Sequence, residues 1–229
     1  MRALFLGEDS LTGAGRYLAA ILTHARIRFD HQPDQAPVSG PLLKRSYDLF
    51  ILSDYRHANF TRETEKWLLQ QVEQGAGLLM IGGWASFRGL VGHYAGSPIS
   101  RALPVVISRK DDRVQNASGA ILGSGPIICG YHRVKARPGT KISVTLRPLR
   151  VSGRRVRLGK AEPALVMGRY GKGRTAAFMT DCAPHWAGGL VDWGAKRFEV
   201  QLSGGVKVEV GNQYLKFFGQ LIRRIGKSR

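Results

Sequence analysis

The residues from Gly77 to Trp84 constrain the fold more than any other part of this sequence. Gly77–Ile81 is an uninterrupted apolar run that leads directly into the pair Gly82 and Gly83. Continuous apolar runs of this length are typical of strands that are buried on both faces of a parallel sheet. Because open α/β sheets bind ligands at the carboxyl ends of their strands, we expect a site at this turn. The turn itself carries no Ser, Cys or Asp, so the sequence indicates no nucleophile there.

Strands and helices alternate in the first third of the chain. Arg2–Gly7 and Tyr47–Ser53 are short apolar runs that predict two more buried strands. Apolar residues at helical spacing predict a helix around residues 17–22, and a second helix is predicted from the cap Thr61 to the exit at Gly75. This alternation favours right-handed crossovers and a parallel sheet that is covered by helices on both faces.

The middle of the chain has a different pattern. Val105–Ser108 and Lys141–Leu146 alternate in hydropathy, which predicts a β-rich insertion over roughly residues 105–160. Two strands around a glycine-rich turn are predicted within residues 162–180, because apolar segments flank Gly-Lys-Gly on both sides. An apolar stripe at helical spacing predicts a closing helix over Tyr214–Ile225.

The chain is strongly basic, with 35 Lys and Arg residues against 16 Asp and Glu residues and a net charge of +19. No acidic residue lies between Arg133 and Lys160. Such a charge attracts anionic partners, which leaves open a nucleic-acid-associated or structural protein, or one with an acidic partner. The candidate contacts for that alternative are Arg154, Arg155 and Arg157. A solvated basic surface is the other interpretation, because no nucleic-acid-binding motif accompanies the charge.

Composition also narrows the class of protein. The 229 residues contain no apolar run near the ~20 residues that a membrane span needs, and the N-terminus lacks the features of a signal peptide. Cys129 and Cys182 are too few for a disulfide framework or a set of cysteine metal ligands. We therefore expect a cytoplasmic protein with no membrane contact and no cofactor. The oligomeric state stays open, with a homo-oligomer as one alternative.

Five segments together resemble a known family. They are Ile81–Phe87, Gly92–Pro98, Gly168–Arg174, Asp181–Trp186 and Val210–Tyr214. In this order they are similar to the class I glutamine amidotransferase-like proteins, in the branch related to the ThuA-like group. The resemblance spans nearly the whole chain. It implies one domain over residues 1–229, built as a flavodoxin-like three-layer α/β sandwich with a mostly parallel central sheet and a β-rich insertion.

The same resemblance bears on activity. A working glutaminase of this superfamily places a Cys nucleophile on the turn after the central strand, with a distant His as the base. The matching turn here is Ile81–Trp84, where glycines stand in place of the nucleophile. The resemblance therefore implies a glutamine amidotransferase-like protein that lacks the standard nucleophile. We expect it to bind a small polar or anionic ligand, or a partner, at the carboxyl-end crevice.

Candidate ligand-binding residues lie in the loops that we expect at this end of the sheet. They are Asp54, Tyr55, His57, Gly82, Gly83, Trp84, His93, Asp181 and Trp186. Structural roles are the alternative interpretation, since loop histidines and acids cap helices and aromatic residues fill cores. The spacing of the histidines indicates no metal site.

Cys182 and His185 form the Cys/His pair that is closest in sequence. They define a second functional alternative, an active amidohydrolase or amidotransferase in which Cys182 attacks and His185 is the base. Asp181 or Asp192 would then orient the histidine. The structural interpretation is a small buried cysteine beside a histidine in a turn that Pro184 orders.

Overall fold

The computed structural model describes residues 1–227, apart from the side chains of Asn116 and Ala117. Its strands are β1 (Arg2–Leu6), β2 (Arg28–Gln32), β3 (Leu49–Ser53), β4 (Gly77–Ile81), β5 (Val105–Val106), β6 (Arg113–Leu122), β7 (Ile127–His132), β8 (Lys135–Ala136), β9 (Lys141–Ser152), β10 (Arg155–Leu158), β11 (Glu162–Tyr170), β12 (Gly173–Phe178), β13 (Arg197–Gln201) and β14 (Lys207–Gly211). Its α-helices are α1 (Arg16–His24), α2 (Arg62–Glu73), α3 (Pro98–Ala102), α4 (Pro184–Ala187) and α5 (Asn212–Ile225). Short 3₁₀ turns lie at Gly40–Leu42, His57–Asn59, Gly188–Leu190 and Ser203–Gly205.

One ten-stranded sheet runs through the molecule. Its first half has the order β2-β1-β3-β4-β12, and every neighbouring pair there is parallel. This is the strand order of flavodoxin-like folds. The chain moves outward in one direction from β1 to β2 and in the other from β3 to β4. Right-handed crossovers therefore place α1 and α2 on opposite faces of the sheet. The predicted three-layer α/β fold with a mostly parallel core is confirmed.

The second half of the sheet is antiparallel. It continues from β12 through β11, β9 and β6 to β7, and β10 pairs with the end of β9. The predicted hairpin is β11 and β12, joined by a tight turn at residues 171–172. Strands β5 to β10 make up the region that the alternating hydropathy indicated. The parallel and antiparallel halves thus meet at β12.

Burial explains why the predicted elements form. All five residues of β3 and of β4 are buried, as continuous apolar runs require. Helix α2 begins at the expected cap, where the Thr61 side chain accepts from the Thr64 N–H at 3.2 Å. Helix α5 buries one apolar stripe, including Leu215, Phe218 and Ile222, and its last turn carries two arginines that suit the helix dipole. None of the helices in residues 1–227 has the length and apolar composition that crossing a membrane requires.

Candidate functional site

Loops from four parallel strands meet at one rim of the sheet. Glu8, Asp54, Gly83 and Asp181 each follow the end of β1, β3, β4 or β12 by one to three residues. A Cβ placed on Gly83 would lie 2.2 Å from Asp54 Oδ1, so these two loops touch. Ligand atoms of Asp54, Asp181 and His185 all lie within 4.8 Å of one another. We call the place where Glu8, Asp54, Asp181 and His185 come together the acidic crevice.

The carboxyl groups of the acidic crevice are buried close together. Burial raises the pKa of Glu8 to about 9, and the charges of Asp181 and Asp54 act in the same direction. Burial also raises the pKa of Asp54 to about 6, although N–H groups of Ala85 and Trp84 favour its charged form. The pKa of Asp181 lies well above its ordinary value because of burial and the nearby Asp54. At neutral pH this crowding therefore disfavours a full set of negative charges on the three carboxyl groups.

Asp181 is held by one oxygen and leaves the other free. Its Oδ1 accepts from the backbone N–H groups of Cys182 at 2.6 Å and Ala183 at 3.0 Å. Its Oδ2 lies 3.3 Å from His185 Nε2, without the geometry of a hydrogen bond. Glu8 Oε1 is likewise buried and without a hydrogen-bond partner in the described part of the chain. The His185 side chain is 43% exposed, whereas Glu8, Asp54 and Asp181 are all buried.

The turn after β4 has no room for a side chain. At Gly82 a Cβ would lie 2.5 Å from the carbonyl oxygen of Met179, and at Gly83 it would meet the Asp54 carboxylate. Gly83 also has a φ of +153°, which L residues rarely adopt. A cysteine at either position would clash with its surroundings. The absence of a nucleophile at this turn therefore follows from packing as well as from sequence.

A buried His–Asp pair contacts the turn after β4. His132 Nδ1 lies 2.9 Å from Asp112 Oδ1, and His132 Nε2 lies 2.8 Å from the carbonyl oxygen of Gly83. The same carboxylate accepts from the N–H groups of Gly89 at 3.0 Å and Arg88 at 3.3 Å. His132 ends β7 and Asp112 precedes β6, so the β-rich half of the sheet helps to hold the turn that carries Gly83. We call these two residues the supporting pair.

Cys182 lies beside the crevice carboxylates but is closed to solvent. The residue is 1% exposed, and burial raises the pKa of its thiol well above the ordinary value. The Tyr214 hydroxyl donates to its carbonyl oxygen at 2.8 Å. His185 faces Asp181, whereas Asp192, the other acid considered for orienting it, pairs with Arg197. These surroundings favour the interpretation of Cys182 as a core residue.

Two predicted residues from the loop after β3 point away from the crevice. The Tyr55 ring is fully buried, and its hydroxyl donates to the carbonyl oxygen of Ala36 at 2.9 Å. His57 Nε2 lies 3.2 Å from Glu65 Oε1 and lines a separate recess along α2. The structure therefore brings Asp54 to the crevice without its two neighbours.

The remaining candidates lie around the crevice or behind it. Trp84 is 40% exposed, and the Arg113 guanidinium sits 5.1 Å from the centre of its ring. Trp186 is fully buried, with its ring centre 5.1 Å from that of His132, and so belongs to the core. His93 is exposed in its loop at a φ of +55°. The structure groups none of these three side chains with the crevice carboxylates.

Sequence reasoning missed Glu8 and the supporting pair. Glu8 could have been found, because it follows the buried strand β1 just as Asp54 follows β3. Asp112 and His132 carry no such local signal, since they reach Gly83 only through the folded β-rich region. The spacing of the histidines likewise gave no indication that His185 would meet two carboxylates.

Comparison with known proteins gives a family match and several similar folds. The model of a family described as "Putative glutamine amidotransferase" matches residues 43–199, which is more than half of the chain. No curated protein is similar enough in sequence to match. Among solved structures, cytoplasmic protein STM3548 from Salmonella typhimurium aligns with a TM-score of 0.77 at 22% identity and covers 100% of both chains.

Two further structures support the same fold. Cytoplasmic protein STM1381 from Salmonella typhimurium LT2 aligns with a TM-score of 0.73 at 23% identity, covering 99% of this chain and 100% of its own. A ThuA-like protein from Bacteroides uniformis aligns with a TM-score of 0.50 at 12% identity, covering 96% of this chain and 89% of its own. At these identities the likeness concerns the fold alone.

Proposed function

This chain belongs to the glutamine amidotransferase-like family, and from that premise we propose that it acts without a thiol nucleophile, as a protein that binds a small polar ligand in the acidic crevice. The observation that carries this proposal is the turn after β4, where neither Gly82 nor Gly83 can hold a side chain. The thiol of Cys182 supports it, because burial raises its pKa well above the ordinary value and so disfavours the reactive thiolate.

The lining of the crevice narrows the class of ligand. Three carboxyl groups and one imidazole lie close together there, and the His185 imidazole is the exposed member of the group. A nearby positive charge favours the charged forms of these carboxyl groups, whereas an anion adds to their repulsion, so the group attracts cations and disfavours anions. Of the two ligand classes expected from sequence, the lining favours a polar ligand with donor groups over an anionic one. A ligand of this kind would also give Glu8 Oε1 and Asp181 Oδ2 the partners that they lack.

Comparing the two cysteines tests the proposal that the protein has no thiol nucleophile. Cys129 is exposed and Cys182 is buried. In folded protein we expect iodoacetamide to modify Cys129 quickly and Cys182 only after denaturation, as read by peptide mass spectrometry. We also expect no ammonia release from glutamine. Modification of folded Cys182 at the rate of Cys129, or a glutaminase activity that Cys182→Ala abolishes, would refute the proposal.

The ligand class has its own test. Thermal unfolding can be followed with glucosamine and with glutarate at matched ionic strength, as a cationic polyol and a dianion. We expect stabilisation by glucosamine only, and its loss in Asp54→Asn, which removes one crevice charge. Stabilisation by glutarate in the wild type would contradict the stated preference.

A second candidate function rests on the ribbon formed by β9 and β10. Arg157 lies directly opposite Arg150 in the antiparallel register. Both side chains are exposed, and neither appears in an ion pair with a described acidic residue. Like charges facing each other across strands destabilise a ribbon unless an anion lies between them. This arrangement favours nucleic acid as the partner of the ribbon, since two-stranded ribbons can enter a groove of DNA.

Salt dependence tests this second candidate. Binding of a fluorescent duplex DNA should weaken steeply as salt rises, because each neutralised phosphate releases counterions. The test variant reverses three charges of the ribbon at Arg154, Arg155 and Arg157. The control variant reverses three exposed charges elsewhere, at Arg28, Lys66 and Lys216. We expect loss of binding in the test variant only; equal losses would indicate a general charge effect and refute a ribbon site.

Both candidates are compatible with a cytoplasmic protein, which we include in the proposal. The two Salmonella structures are described as cytoplasmic proteins. The exposed, unpaired thiol of Cys129 also suits a reducing compartment. Fractionation of cells that express the tagged chain would test this location directly.

A further inference from the structure

We propose that the acidic crevice holds a divalent first-row transition-metal ion, bound by Asp54, Asp181 and His185. The inference rests on the proposed function, because it places the ion in the crevice that we propose to bind the polar ligand. One potential ligand atom from each of these three residues lies within 4.8 Å of the other two. Two aspartates and one histidine supply the oxygen and nitrogen donors that such ions accept.

Buried oxygens without partners point independently to a bound cation. Asp181 is fully buried, and its Oδ2 has no hydrogen-bond partner among the described residues. Glu8 is 8% exposed, and its Oε1 also lacks one. Buried polar atoms in folded proteins are nearly always paired, so unpaired oxygens beside other carboxylates require an explanation. A metal ion between them would satisfy the free oxygen of Asp181 and reduce the repulsion within the group.

The two aspartates are held as ligands by their other contacts. Asp54 Oδ1 accepts from the Ala85 N–H at 2.7 Å, and Asp181 Oδ1 accepts from two backbone N–H groups. Hydrogen bonds of this kind orient the carboxylates around metal ions. They leave Asp181 Oδ2 facing His185 Nε2 at 3.3 Å.

The spacing is close to what one ion needs. Zinc binds nitrogen and carboxylate oxygen at about 2.0–2.2 Å, so two of its ligands lie at most about 4.4 Å apart. All three ligand atoms lie within 4.8 Å of one another, so shifts of a few tenths of an ångström bring them into this range. Three protein ligands leave coordination positions open toward solvent, as in metal sites that accept a further ligand. The imidazole disfavours Mg²⁺, which prefers oxygen ligands.

Calorimetric titration of the full chain tests the site. We would use chelator-treated protein carrying Cys129→Ser, so that the exposed thiol does not bind the probe ion. We expect one Zn²⁺ per chain, weaker binding of Mn²⁺, and no measurable binding of Mg²⁺ at the same concentrations. His185→Ala should weaken Zn²⁺ binding by more than about 100-fold, since even partners behind a metal ligand cost about 10–100-fold. His93→Ala removes an exposed histidine outside the crevice and should leave binding unchanged.

A second variant keeps the proposal refutable if one substitution perturbs folding. Asp54→Asn preserves the shape of the side chain and should also weaken Zn²⁺ binding while leaving the circular dichroism spectrum unchanged. Absence of stoichiometric Zn²⁺ binding, or the same affinity in the wild type, His185→Ala and Asp54→Asn, would overturn the metal site. Those results would leave the proposed function standing, because its own tests are the reactivity of Cys182, glutamine hydrolysis and the response to glucosamine and glutarate.

Discussion

Removing the carboxylate of Asp112 should destabilise the protein by about 4 kcal/mol. The side chain of this residue is 1% exposed and accepts from Gly89 N–H, Arg88 N–H and the His132 ring. Each buried donor left without its acceptor costs about 1–3 kcal/mol. Three such losses, reduced by local relaxation, agree with the ~3–5 kcal/mol measured when one partner of a buried pair is removed.

The neighbouring residue supplies the matched control for Asp112→Ala. Asp111 is 50% exposed and forms its ion pair with Arg113 at the surface. Asp111→Ala should therefore cost less than about 1 kcal/mol. Urea unfolding of both variants and the wild type at pH 7, followed by circular dichroism, gives the comparison. If the two variants unfold within about 1 kcal/mol of each other, Asp112 does not act as the buried acceptor described above.

Three further substitutions test other parts of the structure. Gly83→Ala should lower the free energy of unfolding, as read from urea midpoints, by about 1–3 kcal/mol more than Gly96→Ala does. Both glycines have a positive φ, but only a Cβ at position 83 would meet the Asp54 carboxylate. Burial acts to raise the pKa of Asp30, yet hydrogen bonds from two arginines and a tyrosine outweigh it and lower that pKa. Asp30→Asn should therefore unfold at lower urea than the wild type at neutral pH, and the difference should vanish as the pH falls through the lowered pKa; a difference that persists in acid would exclude this cause. Thr61→Ala removes the cap of α2 and should cost about 0.5–2 kcal/mol in thermal unfolding, whereas no change would show the cap to be dispensable.

Apolar patterning predicted the buried strands but not the polar ones. Strands β1, β3 and β4 were predictable because burial on both faces demands continuous apolar residues. Strand β2 lies at the sheet edge with the sequence Arg-Phe-Asp-His-Gln, and half-exposed polar strands have no such requirement. The same reason applies to β13, whose residues are mostly exposed. Its pairing with β14 lies outside the main sheet.

Some residues of the candidate site were predictable from the local sequence, whereas the contacts between them were not. Asp54, Gly83 and Asp181 were found because a parallel sheet brings the ends of its strands to one rim. Their distances could not be predicted, and it is these distances that turn separate loop acids into one crowded group. The partners of Gly83 were beyond prediction, because His132 lies 49 residues away along the chain. The antiparallel pairing of β6 with β7 brings His132 close to Gly83, and no short sequence motif encodes that pairing.

The supporting pair has a consequence for anyone who designs a shorter version of this protein. A minimal flavodoxin-like module made by excising β5 to β10 would discard both Asp112 and His132. The Gly83 carbonyl would lose its imidazole neighbour, and the N–H groups of Arg88 and Gly89 would lose their acceptor. The turn after β4 would then lack the contacts that hold it in place, even though every strand of the parallel half was kept. Truncation libraries should accordingly treat the added β-structure as an integral part of the rim that carries Gly83.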